Sequence, residues 1–443
     1  MSDRQPVDLL IRGGTIVTVD DADRIIPDGA VAIKGMEIVG VGASQQIQVL
    51  YEGKDEIDAT GKVIIPGLVN THTHLAMTIF RGIADDMRLE PWLDKIWKLE
   101  GEFASEENCR LGTQLAFIEM IRGGTTLATD MYWHIDDTNN VAREMNFRLV
   151  NGPIFIDFVG PDGVAPEDRE AVARKILANI QDDQLVHPCV LAHSTYSVPE
   201  ELLKKAGEIA EEFGALFITH ASESMAEVQT VTEDSGKTPI EFLDALGLLT
   251  PHTLLAHCVH LNDAEIALLA KRDTKVAHCP ESNLKLGNGV ARVTDLRAAG
   301  VTVGIGTDGA ASNNDLDMWG EMRSASLLQK GMQHDPTALP APQAFRMATI
   351  EGARALGLEA LIGSIEVGKR ADLALVDFEK THLNPVYDLY SHLVYAVDRS
   401  DVDTVLINGK VVMRERELLT IDETAVLTEA KAVGAKIKAE NQG

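Results

Sequence analysis

Cysteine is scarce in this chain: the 443 residues include four cysteines and no CxxC pair. They lie far apart along the sequence, at Cys109, Cys189, Cys258 and Cys279. This spacing argues against a disulfide framework and favours free thiols in a reducing cytoplasm. We expect all four to behave as small, buried hydrophobic residues.

Positive charge is also in short supply. The chain has 40 lysines and arginines against 68 acidic residues, which gives a net charge of −28. Nucleic acids and anionic membranes bind through basic patches, so we expect neither as a partner. No apolar run is as long as a membrane-spanning helix, and the first residues, MSDRQPVDLLIRGG, lack the layout of a signal peptide. These absences predict a cytoplasmic protein.

The two ends of the chain share one sequence pattern, short strand-like runs separated by turn residues. Short strands broken by turns, such as DLLIRGGTIVTVD, fill the beginning, and the pattern returns late in GSIEVGKRADLALVDF and VDTVLINGKVVMRERELL. No low-complexity tract or repeat interrupts the sequence. We therefore predict one small β-sandwich domain built from both termini, residues 1–65 and 362–443.

The middle of the chain, residues 66–361, alternates apolar strand-like runs with helical stretches. Eight such runs are KVIIPGLVNTHTH, TTLATDMY, FRLVNGPIF, PCVLAHSTY, ALFITHASE, TLLAHCVH, TKVAHCPESN and VTVGIGTDGA. Nearly continuous apolar strands are typical of a parallel sheet buried on both faces. The fold class predicted is therefore α/β, a (β/α)8 TIM-type barrel with an appended domain.

Most of these runs end in a residue that can coordinate a metal ion. The residues are His72 and His74 in the first run, then His193, His220, His257, His278 and Asp308. The active site of this barrel class lies at the carboxyl ends of the strands, so these side chains are expected to converge there.

His72 and His74 have a geometric reason to act together, because residues i and i+2 of a strand point to the same face. A third imidazole from His220 and a carboxylate oxygen from Asp308 would complete a site for one divalent ion. Zinc accepts such donors, and iron, manganese or nickel would also fit. The alternative, histidines that only form hydrogen bonds with backbone, leaves the other strand-end histidines unexplained.

Two further residues are expected to take part in chemistry beside the ion. Glu223 follows His220 by three residues and could move a proton from a bound water to the substrate. Alone, it would be an ordinary acid at a helix N-terminus. His257 is expected to face the attacking water, whereas His260 is expected to be structural and the role of His278 stays open.

Together, these residues carry a family resemblance. The stretches PGLVNTHTHLAMTIFRGIADDMRLEPWL, HASES, LAHCVHL, SNLKLGNGVA and GTDGAASNNDLDMWGEMRSASLLQK resemble the amidohydrolase superfamily, and more closely its methylthioadenosine/S-adenosylhomocysteine deaminases. GKRADLALVD is similar to the terminal sheet domain of that superfamily. The HxH motif identifies only the superfamily, while GTDGAASNN with SNLKLGNG is more specific to the aminopurine deaminases.

The resemblance implies roles for particular residues. It makes His72, His74, His220 and Asp308 the metal ligands, Glu223 the proton shuttle, and Asp308 both a ligand and a base. It places Glu100 and His193 against the ribose and base of a nucleoside. The strand that ends in His193 offers no lysine to bridge two ions, which favours a single ion.

One departure from the family pattern concerns the 5′-substituent of the substrate. Asn151 stands where an arginine is common, and Arg169 is a loosely aligned candidate for a second arginine of the pattern. The resemblance implies that both positions bind the substrate near its 5′-group. Without a guanidinium clamp, the amino-acid tail of S-adenosylhomocysteine loses a bidentate partner. The resemblance therefore predicts a preference for an apolar 5′-group.

The segment 78–110 is predicted to form a lid, since it follows the metal-binding strand and carries an apolar stripe. Ordinary packing or a subunit interface would give the same stripe.

The expected activity is hydrolytic deamination of an adenosine derivative by a homo-oligomeric enzyme. Another heterocycle, such as guanine, a pterin or an s-triazine, is the alternative substrate. A metal-free binding module is the alternative class, which the complete set of ligand residues disfavours.

Overall fold

The computed structural model describes residues 4–441, which form two nine-stranded sheets and sixteen α-helices. The strands are β1 (Gln5–Val17), β2 (Ile25–Lys34), β3 (Glu37–Ala43), β4 (Tyr51–Asp58), β5 (Lys62–Pro66), β6 (Leu68–Thr73), β7 (Thr125–Asp130), β8 (Arg148–Asn151), β9 (Ile154–Phe155), β10 (Val186–Ser194), β11 (Leu216–Ala221), β12 (Thr253–His257), β13 (Lys275–His278), β14 (Val303–Ile305), β15 (Leu373–Asp377), β16 (Val402–Ile407), β17 (Lys410–Arg414) and β18 (Glu417–Leu418).

The helices lie mostly between the strands of the second sheet. They are α1 (Ser44–Leu50), α2 (Leu89–Phe103), α3 (Glu106–Arg122), α4 (Ile135–Met145), α5 (Arg169–Ile180), α6 (Glu200–Phe213), α7 (Met225–Ser235), α8 (Pro239–Ala245), α9 (Asp263–Arg272), α10 (Pro280–Lys285), α11 (Val293–Ala298), α12 (Met318–Gln333), α13 (Ala341–Met347), α14 (Ile350–Ala355), α15 (Leu389–Tyr395) and α16 (Glu423–Asn441). Within residues 4–441, none of these helices combines the length and apolar character needed to cross a membrane.

The second sheet is a parallel barrel. Its strands follow the order β6, β7, β8, β10, β11, β12, β13 and β14, with the two-residue strand β9 paired to β10. The last and first strands meet where the backbone N–H of Asp308 donates to the carbonyl of His72 at 3.0 Å. Apolar residues fill the strands on both faces, as a parallel sheet covered by helices requires. The predicted barrel is therefore confirmed.

Glycine divides two runs that the sequence analysis treated as single strands. In KVIIPGLVNTHTH, β5 joins the terminal sheet and β6 begins the barrel, with Gly67 between them. A Cβ at Gly67 would lie 2.1 Å from Thr126 Oγ1, so no side chain fits there. In FRLVNGPIF, Gly152 separates β8 from β9, and its Cβ would lie 1.7 Å from the carbonyl oxygen of Cys189. Close packing at both positions therefore requires glycine.

The other sheet is built from both ends of the chain, as predicted. Its order is β18, β17, β16, β15, β5, β1, β2 and β3, and β4 pairs with β1. The chain then ends in the 19-residue helix α16, which the sequence pattern did not indicate. This helix packs against α3 of the barrel, so the C-terminal region contacts both parts of the molecule.

A buried ion pair joins the barrel to the terminal sheet. Arg148, the first residue of β8, donates to both carboxylate oxygens of Asp372, at 2.7 and 2.9 Å. Arg148 also donates to Asn408 Oδ1 at 3.1 Å, and both charged side chains are almost inaccessible. Because neither charge reaches solvent, each depends on the other for compensation.

We predict that Arg148→Met lowers the free energy of unfolding by about 3–5 kcal/mol, because it leaves the Asp372 carboxylate buried and unpaired. The matched control is Arg12→Met, which removes an ion pair with Glu56 whose side chains are 38% and 46% exposed. That control should cost no more than about 1 kcal/mol. Chemical denaturation measures both variants, and equal losses would contradict the structural role of the buried pair.

Candidate metal centre and active site

Four histidines and an aspartate converge at the carboxyl ends of the barrel strands. His72 lies in β6 and His74 directly follows that strand, His220 lies in β11, His257 ends β12, and Asp308 follows β14. All five residues are more than nine-tenths buried. The parallel strands bring residues far apart in sequence to one end of the barrel.

The ligand atoms of this cluster face one another at short distances. Nε2 of His72 and Nε2 of His220 are 3.0 Å apart. Oδ1 of Asp308 lies 3.1 Å from His74 Nε2 and 3.6 Å from His72 Nε2. The ligand atoms of His72, His257 and Asp308 also lie within 4.8 Å of one another, so His257 borders the same cluster.

The donor atoms fit a divalent cation. Oδ1 of Asp308 is buried and has no hydrogen-bond partner in the described part of the chain, residues 4–441. Burial alone would lower the pKa of His74, but the Asp308 carboxylate raises this pKa to about 9. The same contacts from His72 and His74 hold the pKa of Asp308 well below its ordinary value despite burial. The cluster therefore attracts positive charge, and three imidazoles with one carboxylate are donors that zinc accepts.

Neighbouring groups fix the orientation of the proposed ligands. His74 Nδ1 lies 2.5 Å from the carbonyl oxygen of Met131, which directs Nε2 into the cluster. Oδ2 of Asp308 accepts hydrogen bonds from Ser282 at 2.6 Å and Ser312 at 2.7 Å. Only Oδ1 is thus left for a metal ion. Such outer contacts hold the ligands in place before the ion binds.

Glu223 stands beside the cluster. Its side chain is buried, and its Oε2 lies 3.6 Å from Nε2 of His257. Burial raises the pKa of Glu223 well above its ordinary value, and the nearby carboxylates of Asp308 and Glu227 raise it further. A carboxyl group that holds a proton readily is suited to accept one and pass it on.

A cavity opens above these residues, and His74, His220, Glu223, His257 and Asp308 belong to its lining. Helix α2 contributes one apolar wall, formed by Leu89, Trp92, Ile96 and Trp97. Part of the predicted segment 78–110 therefore lines the cavity, and its role as a lid stays a prediction. Trp133 and Tyr196 line the cavity as well, although the sequence analysis did not single them out. Trp133 follows β7 and Tyr196 follows β10 by only a few residues. Their positions just after barrel strands could have identified them as lining residues.

Glu100, at the inner end of the apolar wall, is 3% exposed. Its Oε2 accepts a hydrogen bond from Trp133 Nε1 at 3.3 Å, while Oε1 has no hydrogen-bond partner among residues 4–441. Burial raises the pKa of Glu100 to about 7, although the nearby Tyr132 hydroxyl lowers this pKa in part. An unpaired buried oxygen at a cavity wall is suited to accept a hydrogen bond from a ligand.

His193 lines the same cavity, where its ring meets Trp97 edge-on with 5.6 Å between the ring centroids. Nδ1 of His193 lies 2.6 Å from the hydroxyl of Ser197. Burial lowers the pKa of His193 to about 3, so the ring is neutral.

The structure does not bring Asn151 or Arg169 to the cavity. The buried Asn151 side chain donates to Asn139 Oδ1 at 3.0 Å. Arg169 lies behind the indole of Trp133 and forms an ion pair with Asp162 at 2.6 Å. Neither residue belongs to the lining of this cavity, so their contact with a substrate tail stays a prediction.

His278 is fully buried, and both of its ring nitrogens lack a hydrogen-bond partner within residues 4–441. It does not line the cavity. The loop that follows it does, through Leu286.

Comparison with known proteins gives one family. Residues 63–412 match the model of the amidohydrolase family. The chain is 44% identical over 430 residues to a 5-methylthioadenosine/S-adenosylhomocysteine deaminase of Pelotomaculum thermopropionicum, covering 96% of this chain and 97% of that protein. It is 43% identical over 426 residues to a 5′-deoxyadenosine deaminase of Methanothermobacter thermautotrophicus, covering 92% and 99%.

A solved structure is similar over the whole length of the chain. It is the crystal structure of an adenosine deaminase from Xanthomonas campestris with bound zinc. The TM-score is 0.97 at 37% identity, with 99% of this chain and 100% of that chain covered.

We predict that the purified protein contains about one divalent ion per chain and that His72→Ala loses this ion. The matched control, His260→Ala, removes a half-buried imidazole outside the cluster and should keep the ion. Elemental analysis of the dialysed proteins gives the measurement. Two ions per chain, or an unchanged content in His72→Ala, would contradict this ligand set.

Proposed function

The chain belongs to the amidohydrolase family, and we propose that it hydrolyses the 6-amino group of an adenosine derivative, releasing ammonia and the corresponding inosine derivative. One observation carries this proposal. A buried carboxyl group, Glu223, adjoins a His–Asp cluster at the floor of an aromatic cavity whose wall presents a free carboxylate oxygen of Glu100. The names of the relatives supply the chemical class of the substrate.

His72, His74, His220 and Asp308 are the residues proposed to hold one divalent cation, with zinc favoured by the bound metal of the Xanthomonas structure. When bound there, such an ion would lower the pKa of a water molecule towards neutrality, which makes that water the nucleophile.

Protein groups then move two protons. Glu223 accepts the first proton of the attacking water and delivers it to N1 of the purine ring while the oxygen adds to C6. Asp308 accepts the second proton and passes it to the amino group, which leaves as ammonia. The product keeps a proton on N1 and a carbonyl at C6, so the atoms balance. His257 holds the oxygen as charge develops on it.

Glu100 and His193 are proposed to bind the nucleoside. The free Oε1 of Glu100 would accept hydrogen bonds from ribose hydroxyls, and the neutral His193 would contact the ribose or base. The aromatic walls would stack on or enclose the purine. This arrangement favours a nucleoside over a free base.

The cavity lining offers no cation to the 5′-end of a substrate. Among the described residues, neither lysine nor arginine lines the cavity, and Arg169 is already paired with Asp162. A methylthio or methyl group can be buried against an apolar wall, whereas a desolvated carboxylate needs a partner. We therefore propose 5′-methylthioadenosine or 5′-deoxyadenosine as the preferred substrate. Assembly into a homo-oligomer in the cytoplasm stays a prediction.

The test is a spectrophotometric screen of adenosine, 5′-deoxyadenosine, 5′-methylthioadenosine and S-adenosylhomocysteine, because deamination shifts the purine absorbance. We expect kcat/KM for the better apolar substrate to exceed that for S-adenosylhomocysteine by at least about tenfold, the loss of one charge-assisted contact. If the protein deaminates none of the four substrates, the proposed function is wrong. A preference for S-adenosylhomocysteine would overturn only the proposed specificity.

Glu223→Gln should retain the metal ion but lose kcat by roughly 10²-fold or more, since an amide cannot shuttle a proton. The matched control is Glu233→Gln on the exposed face of α7, which should behave like the wild type. Steady-state kinetics and metal analysis on both variants give the measurement. Near-native kcat in Glu223→Gln would assign the proton transfer to another group.

A further inference from the structure

Residues 282–288, with the sequence SNLKLGN, contact every side chain proposed to take part in proton transfer. This 282–288 segment comprises the end of α10 and the turn that follows it. Its three polar, uncharged residues, Ser282, Asn283 and Asn288, are all more than nine-tenths buried. Buried polar groups need partners, so their contacts indicate what the segment does.

Two of these side chains hold Asp308 and His257. The Ser282 hydroxyl donates to Asp308 Oδ2 at 2.6 Å, which leaves Oδ1 for the metal ion. Asn283 Oδ1 accepts from His257 Nδ1 at 2.9 Å. A proton fixed on Nδ1 leaves the lone pair of the neutral ring on Nε2, the nitrogen that faces the cluster.

The third side chain holds Glu223. Asn288 Nδ2 donates to Glu223 Oε1 at 2.9 Å. The other oxygen, Oε2, points towards His257 Nε2 at 3.6 Å. Because Oε1 already accepts a hydrogen bond, Oε2 is the oxygen that remains free to take up and release a proton.

The segment is itself anchored, which makes its three contacts act together. The backbone N–H of Asn288 donates to the carbonyl of Asn283 at 2.8 Å. Gly287 adopts a φ of +71°, a left-handed conformation that turns the chain back after α10. Lys285 forms an ion pair with Asp85 at 2.7 Å and donates to the carbonyl of Ala311 at 3.2 Å.

We propose that the 282–288 segment is a positioning element for the reaction, and that Asn288 restricts proton exchange at Glu223 to Oε2. This inference rests on the proposed function, since it assigns a role within the deamination. Asn288 acts through Glu223, and so its removal should lower turnover without removing the metal ion or the substrate contacts. Rotation of the freed carboxyl group would take Oε2 out of line for a fraction of the time.

The experiment measures kcat, KM and metal content for Asn288→Ala. We expect kcat to fall about tenfold, as for the loss of one hydrogen bond to a charged group, with KM within about twofold and the metal content unchanged. Leu284→Ala is the matched control, because Leu284 lies in the same segment but is 44% exposed. It should keep wild-type kcat.

A double-mutant cycle separates positioning from a general structural effect. In the Glu223→Gln background, where no proton can be exchanged, Asn288→Ala should change the single-turnover rate by less than about twofold. A tenfold loss in that background would show that Asn288 acts independently of Glu223 and would overturn the proposal. A wild-type kcat in the Asn288→Ala single variant would also overturn the proposal.

A second variant and the wild-type substrate screen separate failure of this inference from failure of the proposed function. If Asn288→Ala does not fold, as judged by its thermal midpoint, Asn288→Ser provides a shorter side chain that should give the same loss of kcat. An inactive wild type in the substrate screen would instead refute the proposed function. The two failures are therefore distinguishable.

Discussion

The structure depends on Asp308, where barrel closure and the proposed metal site meet. The backbone N–H of this residue donates to the carbonyl of His72 and joins the last strand to the first. Its carboxylate faces His72 and His74, and its φ of 59° turns the chain out of β14 towards the cluster. A left-handed conformation is costly for a residue with a Cβ, so the surrounding packing must hold it there. The residue that joins the last strand to the first therefore also contributes to the proposed metal site.

Burial strengthens the polar contacts of the site, and it also means that each charged group there needs a partner. In a low-dielectric interior, an unpaired carboxylate or imidazolium is costly, whereas a paired one is held firmly. Glu227 illustrates the second case: it accepts hydrogen bonds from the backbone N–H groups of Ser222 and Glu223 and from the hydroxyl of Thr195. This one carboxylate joins the loops that follow β10 and β11. The side chains of the site are therefore fixed before a ligand arrives, as electrostatic catalysis requires.

The floor and the wall of the cavity have different functions. The floor is made of residues at strand ends, whose positions the barrel determines, and it accounts for the chemistry at one carbon of the substrate. The wall is made by α2 and by the loops after β7 and β10, which determine the shape and charge available to the rest of the substrate. Loops and helices at this face vary without disturbing the barrel. Similar chemistry on different substrates is the expected consequence.

The sequence alone determined the eight barrel strands, the sheet built from both termini, and the strand-end histidines and aspartate that the structure brings together. These features depend on local patterns, namely apolar runs and the alternation of side chains along a strand. Tertiary structure decided the rest. Gly67 divides one predicted strand because Thr126, distant in sequence, leaves no room for a side chain. Asn151 and Arg169 pair with Asn139 and Asp162, and residues 282–288 reach three side chains of the site that lie at the ends of three different strands. Such contacts depend on how distant segments pack, and no local pattern in the sequence encodes them.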